Sequence, residues 1–270
     1  MVPGDIEVAD DGEDEEEDTP VRGGQKKPTK ATSSKKRPTY NAEAAGHWQD
    51  VPAVEVTVNS YEDEDGAVCS RDSPTCNLRA ALTFVGNRQG TIYLPTVEVH
   101  KLKKGPVMVP MYAHVTITSA GTLAQKKAVI YHRESSTFGG GNTALLVVPE
   151  NTTLTLDAVT FKNNPRRAVY GDRGADITVL NCAFVNNTFD AEGAAIRVDA
   201  GTLHVKQTLF YNNTDWSSGG AIYTTYSTLT IEGTNFLNNS ASSGAALKTY
   251  QSEVDISGSH FSGGTAWSDG

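Results

Sequence analysis

Cysteine, methionine and tryptophan are scarce, three of each among 270 residues. Three cysteines cannot form the framework of a disulfide-built domain. No apolar run reaches the roughly 18 residues that a membrane span needs, and the N-terminus carries no apolar signal-peptide core. Basic residues are outnumbered, 23 against 32 acidic, for a net charge of −9. That balance argues against an extended basic surface, so no nucleic-acid partner is expected. The six histidines, His47, His100, His114, His132, His204 and His260, include no pair at metal-ligand spacing. No metal or other cofactor is expected.

What is present is a repeat. An apolar pair one residue apart, followed five residues later by Phe, recurs as Leu154, Leu156, Phe161; Ile177, Val179, Phe184; Leu203, Val205, Phe210; Leu229, Ile231, Phe236; and Val254, Ile256, Phe261. The Phe residues fall 23 to 26 positions apart. A period of that size indicates stacked supersecondary units, none able to bury its apolar face alone. Alternation within each pair is that of a half-buried strand, and no unit contains an amphipathic helix. After four of the Phe residues comes an Asn-Asn turn beginning at Asn163, Asn186, Asn212 and Asn238, and after the fifth comes Gly263-Gly264. Asn and Gly are the residues that best accept a left-handed backbone. A small-residue corner then leads into another strand at Gly193-Ala194-Ala195-Ile196, Gly219-Gly220-Ala221-Ile222 and Gly244-Ala245-Ala246-Leu247. This unit predicts an all-β fold, a right-handed parallel β-helix of about seven coils. Phe161, Phe184, Phe210, Phe236 and Phe261 form a core column, and Asn163, Asn186, Asn212 and Asn238 form a ladder of amide hydrogen bonds. Earlier coils are less regular, with Val115-Ile117, Val129-Tyr131 and Leu145-Val147 as strand candidates.

Residues 140–270 resemble the right-handed β-helix families, and the Gly-Ala-Ile corner followed by Phe-x-Asn-Asn is similar to the polymorphic outer-membrane protein repeat. Upstream, Val56 to Asn59, Cys69, Cys76-Asn77-Leu78-Arg79-Ala80-Ala81 and Gly90 to Pro95 resemble the CSLREA-type entry segment of extracellular β-helix proteins. The pattern departs from that segment at Asn77, Ala80 and Leu82. The resemblance implies a secreted or cell-surface protein. Leu78 to Val85 has the spacing of a short amphipathic helix able to cap the first coil. Cys69 and Cys76 are read as a disulfide, since two thiols without a neighbouring His fall short of zinc ligation. Cys182 is read as a small buried hydrophobe.

Three segments follow: residues 1–50, a disordered acidic and basic tail; 51–95, the entry and capping segment; and 96–270, the β-helix. The last residues stop where another corner is due, so the chain is expected to be a fragment of a longer protein. The sequons at Asn151, Asn186, Asn212 and Asn238 belong mostly to the turn ladder.

On the strand after the corner, alternation points Val169, Ile196, Ile222 and Leu247 inward. Outward columns then hold Tyr170, Arg197, Tyr223, Lys248 and, beside them, Asp172, Asp199, Thr225, Tyr250. Aromatic rings, cations and carboxylates on a flat face suit contact with a polysaccharide or cell-surface glycan, which makes Tyr170, Arg197, Tyr223, Lys248 and Tyr250 candidate ligand-binding residues. A structural or adhesive module is the leading reading. The alternative is a pectate-lyase-like polysaccharide lyase or glycoside hydrolase using Asp172, Asp199 and Arg197, with calcium if a lyase.

Overall fold

The computed structural model describes residues 52–70, 75–120, 127–132 and 144–269. The tail assigned to residues 1–50 lies outside them.

Among the described residues the backbone winds as a right-handed parallel solenoid with a single short helix, as the repeat predicts. Three sheets run along it. The first pairs eight parallel strands, from Val54–Thr57 and Gln89–Pro95 through Asp176–Leu180 to Glu253–Ser257. The second, the Phe sheet, pairs seven strands from Val99–Leu102 to His260–Ser262. The third, the corner sheet, pairs six, ending in Arg167–Gly171, Ile196–Asp199, Ile222–Thr225 and Leu247–Tyr250. Six coils therefore enter all three sheets, and a seventh enters the first and the Phe sheet. A fourth sheet, Thr188–Phe189, Thr214–Ser218, Ser240–Ser243 and Thr265–Asp269, is present only in the later coils.

Register is one-to-one in these coils of the first and Phe sheets, so the sequence columns there are spatial columns. Leu154, Ile177, Leu203, Leu229 and Val254 align, as do Phe161, Phe184, Phe210, Phe236 and Phe261. Successive Phe rings stack with centroids 4.5 to 5.1 Å apart, close to one strand spacing. The earlier strand candidates also form strands, His114–Ala120, Ala128–His132 and Ala144–Val148, but Ile130 faces inward there rather than its apolar neighbours Val129 and Tyr131.

The Asn-Asn turn makes two ladders. The first Asn of each pair is left-handed, with φ near 53–55°. Its amide runs along the surface, Asn186 Nδ2 to Asn163 Oδ1 at 3.1 Å and Asn212 Nδ2 to Asn186 Oδ1 at 2.9 Å. The second Asn is buried. Asn164, Asn187 and Asn213 each donate Nδ2 to the Oδ1 of the next coil, at 2.6 to 2.9 Å, and Asn187, Asn213 and Asn239 also donate to the carbonyls of Phe161, Phe184 and Phe210. This inner ladder satisfies backbone that the turn removes from the sheets. Corner glycines Gly193, Gly219 and Gly244 are likewise left-handed, and a Cβ there would meet the carbonyls of Ile196, Ile222 and Leu247 within 2.5 Å.

The first coil is capped as the upstream segment predicts. Helix α1, Leu78–Val85, buries Leu78, Ala81, Leu82 and Val85 and is N-capped by Asn77, whose Oδ1 accepts from the Ala80 amide at 2.9 Å. Cys69 and Cys76 are joined by a disulfide. Buried Asp63 locks this cap through two bonds from Arg79, at 2.8 and 2.9 Å, and the amides of Lys103 and Lys104. Burial alone would raise the Asp63 carboxyl, but Arg79 and those amides hold it below its ordinary value. Cys182 is the free cysteine; it is buried, and burial pushes its thiol up to about 12.

Candidate functional site

The corner sheet places its outward residues in the expected columns. Tyr170, Arg197, Tyr223 and Lys248 are register partners, and so are Asp199, Thr225 and Tyr250. Their environments differ from coil to coil, because the corner before each strand differs.

Between Phe161 and Phe184 the coil is short, and the chain passes from Asn164 to Arg167–Gly171 with no strand in the fourth sheet. Arg167 stands where later coils have a small residue and is wholly buried. Its guanidinium reaches into the next coil and donates to the carbonyls of Ala191, Glu192 and Gly193. It lies 4.7 Å from the Phe189 ring centroid and 5.7 Å from that of Tyr170. Burial and neighbouring Arg197 lower its pKa to about 10. Asp215, also buried, holds the same loop from the far side, its Oδ1 accepting from the amides of Glu192, Ser217 and Ser218 at 2.7 to 3.1 Å. Burial raises the Asp215 carboxyl to about 6, against the pull of those amides and of Arg167. Two buried charges thus fix Glu192, whose φ of 63° is left-handed.

Glu192 then meets Arg197, whose Nη1 donates to Glu192 Oε2. Arg197 Nε donates to both oxygens of Asp199 at 2.9 and 3.1 Å, and its guanidinium lies 5.3 Å from the Tyr223 centroid. Burial opposes its charge, yet Asp199 and Glu192 hold its pKa above the ordinary value. Asp199 accepts two further bonds, from Tyr170 OH at 3.1 Å and Thr225 Oγ1 at 3.0 Å. Burial and then Asp199 push the Tyr170 phenol up to about 12.

Several expected site residues therefore sit differently from an open platform. Tyr170 is only 8% exposed and serves as a donor under the face rather than a ring presented to solvent. Asp172 lies beyond its strand, exposed, with its Oδ1 accepting from the Arg173 amide, while Asp199 is engaged by three other residues. The two carboxyls stand on successive coils and bond different groups. Lys248 donates to Ser243 Oγ at 2.7 Å, and Tyr223 is half-buried beneath Arg197. Tyr250 is 53% exposed and makes an edge contact with Tyr226, centroids 5.7 Å apart.

Sequence reasoning missed Arg167, Glu192, Asp215 and Tyr226. The signal for Arg167 was the break in period, 23 residues where later units have 25 or 26, together with arginine in place of the small corner residue. Asp215, the inward residue of its strand, carried no signal, since a carboxylate in that position reads as exposed.

Among the described residues no three His, Cys, Asp or Glu side chains converge as metal ligands, and no helix is long and apolar enough to cross a membrane. No curated protein matches the chain. A family model described as the right handed beta helix region matches residues 127–268, more than half of the chain, and the chain belongs to that family.

Proposed function

We propose that this chain is a structural or adhesive β-helix module of a secreted or cell-surface protein, contacting a polysaccharide or cell-surface glycan through the outer face of the corner sheet. The observation that carries the reading is the group formed by Arg197, Tyr223, Lys248, Tyr226 and Tyr250. It sets cations and aromatic rings side by side on a rigid parallel sheet, with Tyr226 and Tyr250 exposed. Aromatic faces pack on the C–H faces of sugars, and the ammonium and hydroxyls beside them donate to sugar oxygens. The resemblance of the upstream segment to the CSLREA type, and of the repeat to the polymorphic outer-membrane protein repeat, supports the location.

Catalysis is the weaker reading, because Asp199 is committed to Arg197, Tyr170 and Thr225. A hydrolase needs two carboxyls poised across a bond, and a lyase needs a free base. The test is to incubate the full chain with acidic and neutral polysaccharides, with and without calcium, following retention on the polymer and release of reducing or unsaturated ends. Binding that Tyr223→Ala and Lys248→Ala weaken, with no product, is expected. Product formation abolished by Asp199→Ala would establish an enzyme instead.

A further inference from the structure

The fourth sheet carries a surface that the corner-sheet reading does not use. Trp216 and Trp267 are 64% and 50% exposed, and their rings stack with centroids 5.4 Å apart and planes 21° from parallel. They belong to strands Thr214–Ser218 and Thr265–Asp269, which both pair with Ser240–Ser243 between them. Two coils separate their backbones by roughly 10 Å at the usual strand spacing. The rings must therefore lean toward one another across Ser242. Asp215, Ala241 and Ala266 form the inward column, and although the register shifts just beyond it, the residue that follows Asp215 and the one that follows Ala266 are the exposed Trp216 and Trp267.

Single exposed aromatics are ordinary on a protein surface, but two that meet across an intervening coil form a continuous apolar strip. The surroundings define its chemistry. Ser242 and Ser268 share a hydroxyl hydrogen bond at 3.0 Å, and Thr214 and Ser240 another at 3.1 Å. Along Thr214–Ser218 and Ser240–Ser243 the one ionisable side chain is Asp215, which is buried. The strip is thus aromatic and hydroxyl-bordered, without exposed charge on those two strands.

We propose that the Trp216–Trp267 strip is a binding site for a neutral polysaccharide chain lying along the coil stack, separate in place and ligand chemistry from the charged corner-sheet face. A neutral glycan offers flat C–H faces for the indoles and hydroxyls for the serine and threonine border, with no charge to be matched. An acidic polymer or a nucleic acid would find no cation belonging to these two strands to neutralise its charge, the nearest ammonium, that of Lys248, being held at Ser243 Oγ. The proposal stands independently of the corner-sheet reading, since it uses none of its residues.

The test titrates the full chain with cellohexaose, xylohexaose and mannohexaose, by tryptophan fluorescence and calorimetry, at low salt and in 1 M NaCl. A saturable fluorescence change with at least one hexasaccharide is expected, unaltered by salt, with affinity falling at least tenfold in Trp216→Ala and little in Tyr211→Ala, an exposed aromatic on the Phe sheet. Trp216 is exposed, so the variant should keep the wild-type circular dichroism; Trp216→Tyr is the milder second variant and should retain part of the affinity. Three results would overturn the proposal: no binding to any of the three, binding that Trp216→Ala leaves intact, or binding abolished by salt. Concentration-dependent self-association lost in Trp216→Ala, without hexasaccharide binding, would also overturn it and assign the strip to a second copy of the chain.

Discussion

Truncating Asn187 to alanine should cost far more than altering Asn186 beside it, although both belong to the same turn. Asn187 is buried, and its carboxamide accepts from Asn164 N at 3.3 Å and Asn164 Nδ2 at 2.6 Å while donating to Phe161 O at 3.2 Å and Asn213 Oδ1 at 2.9 Å. Removing it strips both Asn164 donors and leaves the Phe161 carbonyl one donor short. Asn213 Oδ1 keeps the Asn187 amide at 3.1 Å. Two to three stripped buried groups at about 1–3 kcal/mol each give a loss of about 2–9 kcal/mol. The surface amide of Asn186 is replaceable by water, and glycine accepts its φ of 53° without strain, so Asn186→Gly should cost about 1 kcal/mol or less. Urea unfolding of both variants and the parent, followed by far-ultraviolet circular dichroism, measures the difference as a midpoint shift at constant m-value. If Asn187→Ala cost no more than about 1 kcal/mol beyond Asn186→Gly, the inner ladder would not be what holds the turns.

Other consequences concern titration and the cap. Because the folded Asp215 pKa of about 6 lies above its ordinary 3.8, the native state binds more protons between those values, and its contribution to stability falls as pH rises through that window. Asp215→Asn keeps the Oδ1 acceptor and removes the titration, so the variant should gain on the parent by up to about 3 kcal/mol between pH 4 and pH 7; parallel stability curves would refute this. The thiol of Cys182 should resist Ellman's reagent at pH 8 in the native protein and react at one equivalent in denaturant with the disulfide intact, whereas rapid native labelling would place it at the surface. Replacing Cys69 and Cys76 by serine should lower stability by about 2 kcal/mol, the loop-closure value for so short a loop, with hydrogen-exchange protection lost first around helix α1. Loss spread uniformly over all coils would argue against a local cap.

The coil was legible because its core columns repeat in sequence at the interval at which they stack in space. Leu203 and Val205 mark a strand by alternation, Phe210 marks the column, and Asn212 marks the left-handed turn. Other corners were silent. Gln207 and Tyr226 are equally left-handed, at φ 49° and 51°, yet neither is a residue type that announces such a conformation. Their geometry is imposed by the coils above and below, which overrides local preference. The split of Asn-Asn into an outer and an inner ladder was likewise hidden, since only the turn's orientation decides which amide is buried.

For the site, the sequence by itself determined the fold class, the order of the columns and which residues of the corner strands point outward, because a period of two and a period of one coil are both properties of the chain. Tertiary structure decided what those residues do. Asp199 reads as a free carboxylate until Arg197, Tyr170 and Thr225, drawn from three successive coils, are seen to occupy it. Arg167 and Asp215 are charges that a linear pattern places at the surface, yet both are buried and both bond the backbone at Glu192. Trp216 and Trp267 are 51 residues apart, and only the stacking of coils brings their rings into contact. Hydrogen bonding, burial and ring contact depend on distances between coils, and a linear pattern records the spacing of columns without recording how neighbouring side chains fill the space between them.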